Sequence, residues 1–319
     1  MSGIASDLLG TECTISLAVV VICSQVPGSS LSCAVPFESL SFPLLIVGRP
    51  DRMMGVAALE VKDAARRSVG WRRGDMSTGA TTRVVSSRET AKLVGKFDRY
   101  LKRSGDALVD RFGEETAAVM RGEMLDEYRR LIPDVPYIGG WRNGHSGTLS
   151  FAAWALAMYR VVLRHGGSLE DTGELLHRTA EAVAERIPRV VRHAVGRYRF
   201  TRLNRWQDER AARKSQARRY PGDWVFEQID GDGETFDFGR DTTECGTVKY
   251  LHAQEADELG PYVCDLDYVL TKAMGYGLQR TKTLAWGCDR CDFRYSKQGV
   301  TSAPWPPEFA ERTCGQPQP

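Results

Sequence analysis

The feature that most constrains the fold is a change of hydrophobic period near residue 220. Between 88 and about 188 apolar residues recur at helical spacing, whereas after Tyr220-Pro221 they alternate as in strands. We therefore predict an α+β protein, in which an N-terminal helical unit is followed by a mainly antiparallel sheet with packed helices.

The helical unit is expected to contain one fully buried helix. Ser150 to Leu163 is apolar on every side, and Gly166-Gly167 after it is typical of a helix end. Two prolines and a glycine pair exclude a helix from 133–140. Other helices are predicted to start at Ser87, to cover Thr116 to Leu131, and to run from a Ser168/Asp171 cap toward Ile187.

Composition divides the chain into four parts. Residues 1–87 mix short apolar runs with Ser, Gly and Thr clusters, so we expect a poorly ordered extension or a mis-assigned start. The other three parts are 88–219, a helical unit with an Arg-rich helix; 220–297, an α+β unit with the Cys, Asp and Arg motifs; and 298–319, a loose Pro-rich tail.

The Arg-rich segment 189–219 carries ten Arg and one Lys against Asp208 and Glu209. Its simplest interpretation is an amphipathic helix whose basic side chains cover a face. The alternatives are that the segment binds an anionic substrate, an acidic partner surface or nucleic acid. The whole chain has a formal charge of only +2, so we do not expect a nucleic-acid partner.

Composition also bears on location. No apolar stretch reaches the roughly 18 residues that a membrane-spanning helix needs, so no membrane partner is expected. No Lys or Arg precedes Arg49, which argues against a secretory signal. The eight cysteines are then expected to be reduced thiols in a cytoplasmic protein.

Residues 220–297 predict two pairs of strands around a helix. The turn 230–233 is typical of a hairpin between Trp224 to Ile229 and Glu234 to Phe238. The other expected elements are a helix from Val263 to Met274 and strands over Leu278 to Ala285 and Asp289 to Tyr295.

Four cysteines lie within this unit. Cys288 and Cys291 form a C-x-x-C pair, and Cys245 and Cys264 could complete a zinc site. Buried free thiols are the alternative. We expect no cofactor, and the four-cysteine zinc site is kept as the alternative.

Strand alternation separates Cys291 from Asp292 and Arg294. Arg294 could pair with Asp292, or it could bind a substrate carboxylate with two hydrogen bonds. Cys291 could be a nucleophile if its face lines the site and a base or a positive charge lies nearby.

Other candidates come from carboxylates and from a loop. Glu244 could transfer protons if apolar surroundings raise its pKa, or it could be a surface carboxylate. Asp267 shares a helix face with Cys264. Asn143 and His145, in a Gly-rich loop, could contact a ligand or be exposed.

The order of these motifs resembles the L-2-amino-thiazoline-4-carboxylic acid hydrolase family over about 88 to 297. The residues that carry the resemblance are Pro136-Tyr137-Ile138-Gly139-Gly140 with Asn143, Tyr220-Pro221-Gly222-Asp223-Trp224-Val225, Phe236-Asp237-Phe238-Gly239, Thr243-Glu244-Cys245-Gly246, Cys264-Asp265-Leu266-Asp267-Tyr268, Arg280-Thr281-Lys282-Thr283-Leu284 and Cys291-Asp292-Phe293-Arg294-Tyr295.

The resemblance implies hydrolytic opening of a small heterocyclic amino acid, as in conversion of 2-amino-thiazoline-4-carboxylate to N-carbamoyl-cysteine. A small-ligand or metal/redox sensor built on the same α+β pocket, and an interaction protein using the Arg-rich segment, remain alternatives; a homo-oligomer is left open. From the chemistry we assign Glu244, Cys291, Cys264 and Asp267 to catalysis, and Arg294, Arg280, Asp292, Asn143 and His145 to substrate binding.

Overall fold

The computed structural model describes residues 85–307 and Cys314. The predicted N-terminal extension and most of the predicted tail therefore lie outside the described residues. Within them, helices come first and a four-stranded antiparallel sheet follows, which confirms the α+β class. The helices are α1 Ser87–Leu101, α2 Gly105–Phe112, α3 Glu114–Leu131, α4 Ser146–Arg164, α5 Leu169–Glu185, α6 Arg189–Tyr198, α7 Arg202–Ser215, α8 Gly246–Ala253 and α9 Gly260–Met274; the strands are β1 Val225–Asp230, β2 Phe238–Glu244, β3 Gly277–Gln279 and β4 Cys291–Ser296.

Helix α4 is the centre of the helical layer. Its buried residues occur on all sides, as the sequence predicts, and α3, α5 and α8 pack around it. Trp154 of α4 stacks on Phe97 of α1, with ring centroids 5.5 Å apart. Among the described helices α4 alone is long and apolar enough to cross a membrane, but 72% of its apolar window is buried within the protein. Burial of this kind is typical of a core helix.

Local sequence signals determine where α4 ends and where α5 begins. Gly166 has φ 76°, a left-handed conformation that glycine adopts without a steric penalty, and α4 ends just before it. Ser168 and Asp171 form the expected capping box at the start of α5.

A buried hydrogen bond joins α5 to α9. His177 Nδ1 lies 2.6 Å from Asp265 Oδ2, and both residues are 2% exposed. The helices also approach closely at Gly173, where a Cβ atom would lie 2.2 Å from the Tyr262 ring. The helical layer and the C-terminal part of the chain therefore share one hydrophobic core, which includes residues of α4, α5, α8 and α9.

The Arg-rich segment forms two helices, α6 and α7, and not one. The chain turns at Arg199–Thr201, and the Thr201 side chain caps α7 by accepting the Asn204 N–H. The Thr201 hydroxyl favours the start of a new helix here because it accepts a hydrogen bond from an N–H group of the first turn, and α6 therefore does not continue into α7.

The second strand differs from the prediction. It covers Phe238–Glu244 and not Glu234 to Phe238. The Asp232 carboxylate accepts the backbone N–H groups of residues 234–236, which holds that segment in the loop after β1. The predicted hairpin is confirmed, with β1 and β2 antiparallel.

The sheet has the order β1-β2-β4-β3. Strand β3 has only three residues, shorter than predicted, because Thr281 and Lys282 donate their backbone N–H groups to the Asp292 carboxylate. Strand β4 alternates between buried and half-buried residues, as predicted.

One face of the sheet, here called the inner face, is covered by helices. Register places Cys291 opposite Thr242, Phe293 opposite Arg240 and Tyr295 opposite Phe238, so these side chains share that face. Helices α6 and α9 pack against its apolar part. The free edge of β1 is covered by the end of α7, where Ser215 accepts the Phe226 N–H and Gln216 donates to the Phe226 carbonyl.

Candidate active site

Two cysteines from different elements meet at one threonine. Cys291 Sγ of β4 lies 3.3 Å from Thr283 Oγ1, and Cys264 Sγ of α9 lies 3.8 Å from the same oxygen. The Leu284 N–H also donates to Cys291 Sγ, at 3.2 Å. The structure therefore brings together the two predicted sulfur nucleophiles.

Burial keeps these thiols protonated at neutral pH. It raises the pKa of Cys291, against the opposing effect of Arg280 and of the hydrogen bond from Thr283. It raises the pKa of Cys264 further, and the pKa of the neighbouring Cys245 to about 12. A nucleophile here needs a base that removes its proton.

A half-buried carboxylate and a buried guanidinium lie beside the thiols. Arg280 donates to Asp267 Oδ2 at 2.9 Å and to the Cys264 carbonyl at 3.0 Å. Burial raises the pKa of Asp267, although Arg280 acts in the opposite direction. The Arg280 guanidinium also lies 4.9 Å from the Phe293 ring centroid. In this structure Arg280 therefore holds Asp267, the predicted second carboxylate.

Glu244 has surroundings other than those expected. Its carboxylate accepts from Arg218 Nε at 2.7 Å and from Lys249 Nζ. Burial tends to raise its pKa, but the hydrogen bonds from Lys249 and Arg218 outweigh this and the net pKa is lowered. The expectation of a raised pKa is wrong, because two cations lie beside the carboxylate where apolar surface was expected.

Arg294 and Asp292 lie on the outer face of the sheet, away from Cys291. Arg294 donates to Asp241 at 2.7 Å, so the expected pair with Asp292 is wrong. Asp292 instead accepts from the backbone of Thr281 and Lys282. Alternation along β4 separates these two residues from the thiols, as the sequence indicates.

The Gly-rich loop joins a second predicted motif. Asn143 Nδ2 donates to Asp223 Oδ2 at 2.6 Å, and the His145 ring stacks on Trp224 at 4.6 Å. Burial lowers the pKa of His145, and Asp223 opposes the shift. His145 also contacts the Phe226 ring, at 5.7 Å between centroids. The loop therefore lies beside the inner face near β1.

Cys288 is disulfide-bonded to Cys314, so the expectation of reduced thiols fails for this residue. The disulfide removes one ligand from the alternative four-cysteine zinc site. Within residues 85–307 and Cys314, no group of three or more His, Cys, Asp or Glu side chains could hold a metal ion.

Sequence reasoning missed two residues of this region. Thr283 was not singled out, because its role depends on the turn Leu284–Trp286 that follows it. Arg240 was missed because the second strand was predicted to end at Phe238. With the observed strand, simple alternation places Arg240 on the inner face with Thr242.

Cys264, Thr283 and Cys291 all lie within the part of the chain that matches a known family. Residues 148–295 match the L-2-amino-thiazoline-4-carboxylic acid hydrolase family. The predicted resemblance is confirmed over this range, which contains Cys264, Thr283 and Cys291. The Gly-rich loop with Asn143 and His145 lies before it. Neither the curated proteins nor the solved structures include a match to the chain.

Proposed function

We propose that the protein is a hydrolase that opens a small cyclic amidine bearing a carboxylate, such as 2-amino-thiazoline-4-carboxylate. The observation that carries this proposal is the pair of thiols, Cys291 buried and Cys264 half-buried, that share the Thr283 hydroxyl beside the Arg280–Asp267 ion pair. The family is named for such a hydrolase, which supports the substrate class.

Cys291 is the proposed nucleophile. Its sulfur forms a bond to the amidine carbon, and the ring C–S bond breaks. Asp267 takes the thiol proton as the attack begins and gives it to the departing ring sulfur. The raised pKa of Asp267 suits it to both steps.

Water completes the reaction. Its oxygen adds to the same carbon and expels Cys291, one proton going to the cysteine sulfur and the other to a nitrogen of the product. The product is a urea with a free thiol, as in N-carbamoyl-cysteine. The Leu284 N–H and the Thr283 hydroxyl orient the Cys291 sulfur for attack and stabilise it when it leaves.

Incubation of the purified protein with thiazoline and related cyclic amino acids tests the proposal. We expect a product heavier by one water molecule, with a new thiol that reacts with a thiol reagent. Failure to open any carboxylated cyclic amidine would contradict the proposed function. No resident cofactor, membrane partner or nucleic-acid partner is proposed, and the location proposed is the cytoplasm.

A small-ligand sensor responding to redox state is the second candidate. The observation that favours it is the Cys288–Cys314 disulfide, because Cys288 lies three residues before Cys291. If this candidate is right, reduction of the disulfide changes ligand affinity in a protein that does not turn its ligand over. Turnover that is equal in the reduced and oxidised protein contradicts it.

A further inference from the structure

Arg240 is a buried guanidinium on the inner face, beside the proposed nucleophile. It is 4% exposed. It lies opposite Phe293, and Cys291 lies opposite Thr242, so Arg240 and Cys291 are diagonal neighbours on one face. Diagonal neighbours in an antiparallel pair are about 7–8 Å apart, a distance that a small heterocyclic amino acid can bridge.

The hydrogen-bonding capacity of this guanidinium is only partly used. No partner for Arg240 Nε lies among the described residues, although the atom is buried. It forms an ion pair with Asp208, whose Oδ1 lies 3.7 Å from Nη2, longer than a hydrogen bond. Asn204 donates to the other oxygen of Asp208, at 3.1 Å.

A second group with unmet hydrogen bonds lies directly across the strand pair. Gln228 of β1 is opposite Arg240. Its side-chain nitrogen and oxygen are both buried, and the described part of the chain supplies a partner for neither. Buried polar groups in folded proteins nearly always have partners, so these two adjacent groups have hydrogen bonds to offer to a ligand.

The other guanidiniums considered for carboxylate binding are already engaged. Arg280 binds Asp267 and a backbone carbonyl, and Arg294 binds Asp241 on the outer face. Arg240 instead lies over the Phe226 ring, at 4.3 Å, with His145 against the same ring.

We propose that Arg240, assisted by the Gln228 amide, binds the substrate carboxylate and directs the amidine carbon toward Cys291. The Nε–Nη edge of a guanidinium matches a carboxylate with two parallel hydrogen bonds. The proposal rests on the proposed function for the identity of the ligand. It assigns to Arg240 the role that the sequence suggested for Arg294 or Arg280.

Binding of two unreactive rings tests the proposal without requiring turnover. Thiazolidine-4-carboxylate and thiazolidine differ by the carboxylate, and neither has an amidine carbon to attack. Calorimetric titration of the wild type is expected to give at least tenfold tighter binding of the carboxylated ring. Arg240→Gln should remove that preference, and Arg240→Lys should keep part of it.

Three further variants make the result specific. Gln228→Leu removes the amide without touching a charge, and we expect it to reduce the preference several-fold. Arg294→Gln removes the outer-face guanidinium and should leave the preference intact. Arg213→Gln, exposed on α7, is the control for loss of one positive charge. Circular dichroism and thermal melting establish that each variant is folded; should Arg240→Gln unfold, Arg240→Lys and Gln228→Leu decide the matter.

The outcomes separate this proposal from the proposed function. Preference for the carboxylated ring that persists in the folded Arg240 variants, or that disappears in Arg294→Gln, overturns the role of Arg240 even if the enzyme opens thiazolines. A wild type without any such preference overturns it as well. If Arg240→Gln loses the preference for the carboxylated ring and the wild type opens no amidine, the carboxylate site is supported and the proposed hydrolase function is contradicted.

Discussion

The Cys291 sulfur lies 3.3 Å from the hydroxyl of Thr283, a residue with no exposed surface. Thr283 begins the turn that also presents the Leu284 N–H to this sulfur. The Leu284 N–H donates to the thiol, and the thiol and the Thr283 hydroxyl share a hydrogen bond in which either can donate, so two groups orient the thiol before a ligand binds. This arrangement makes Cys291 the first residue to test.

Replacement of Cys291 should abolish ring opening. Under the covalent mechanism, we expect Cys291→Ala to lower kcat/KM by at least about 10³-fold and Cys291→Ser nearly as much. Thr283→Val should cost about tenfold, since it removes one hydrogen bond to the sulfur. Cys245→Ala, which removes a neighbouring free thiol with no assigned catalytic role, is the matched control for loss of a thiol. Full activity in folded Cys291→Ala would end the covalent mechanism and favour attack by activated water.

The pH profile should reflect both groups that exchange the proton in the proposed mechanism. Burial raises the pKa of Asp267, which must be ionised to take the thiol proton, and it raises the pKa of Cys291 above its ordinary value of 9.0. The active enzyme therefore carries an Asp267 carboxylate and a Cys291 thiol, so kcat/KM should rise as Asp267 ionises and then level off while the thiol stays protonated. Stopped-assay kinetics between about pH 5 and 10, with the melting temperature followed in parallel, give the measurement. A kcat/KM that shows no plateau and increases steadily up to the highest pH would contradict proton removal by Asp267 and indicate attack by a preformed thiolate.

Glu244 should contribute to stability through its ion pairs. The Lys249 and Arg218 hydrogen bonds lower its pKa, so the stabilisation is present at neutral pH and disappears as pH falls through the folded-state pKa. Because the carboxylate is partly exposed, we expect Glu244→Gln to cost only about 0.5–1 kcal/mol at pH 7. Urea unfolding at pH 7 and at a series of lower pH values should show a difference that shrinks as pH falls below 4.5, the ordinary pKa of the carboxyl. A large loss of kcat in the folded variant would instead restore Glu244 to a role in proton transfer.

Breaking the buried pair between α5 and α9 should be costly. Asp265→Ala leaves His177 without its hydrogen-bond partner in a site almost without solvent, and we expect a loss of about 1–3 kcal/mol in the free energy of unfolding. The exposed pair of His252 and Asp257, at 3.0 Å, is the control. Asp257→Ala should cost less than about 1 kcal/mol. Equal losses in the two variants would show that burial does not set the strength of the first pair.

Two glycines in helices should respond oppositely to alanine. At Gly173 a Cβ atom would lie 2.2 Å from the Tyr262 ring and 2.8 Å from Trp305, so Gly173→Ala should destabilise by about 1–3 kcal/mol. At Gly122 of α3 no atom lies within 4 Å of the added Cβ. Gly122→Ala should therefore stabilise by up to about 1 kcal/mol, since alanine favours the helix. Thermal melting of both variants checks the signs.

Much of the fold follows from local sequence. The apolar stretch within α4, the capping box of α5 and the alternation of β4 each act over a few residues, and each predicts its element. The position of β2 depends instead on the Asp232 side chain, which binds three backbone N–H groups of the next residues. Hydrophobic periodicity gives no sign of such hydrogen bonds, so the second strand was predicted to begin before its true start in the sequence.

The candidate site was predictable only in its residue types. Cys264 and Cys291 could be selected for their chemistry, but their meeting at Thr283 depends on how α9 packs beside the sheet. The surroundings of Glu244 depend on Lys249, one helical turn into α8, and on Arg218, which is distant in sequence. Contacts of this kind determine whether the pKa of a carboxyl group is raised or lowered. They cannot be inferred from the composition of the chain.

The covering of β1 by the end of α7 has a consequence for association. An uncovered outer strand is a template on which another chain can add a strand of its own. Ser215 and Gln216 occupy the Phe226 N–H and carbonyl, so an incoming strand finds those groups already bonded. Addition of a strand at Phe226 is thereby blocked, and the helix that supplies the block also keeps Asp208 beside Arg240.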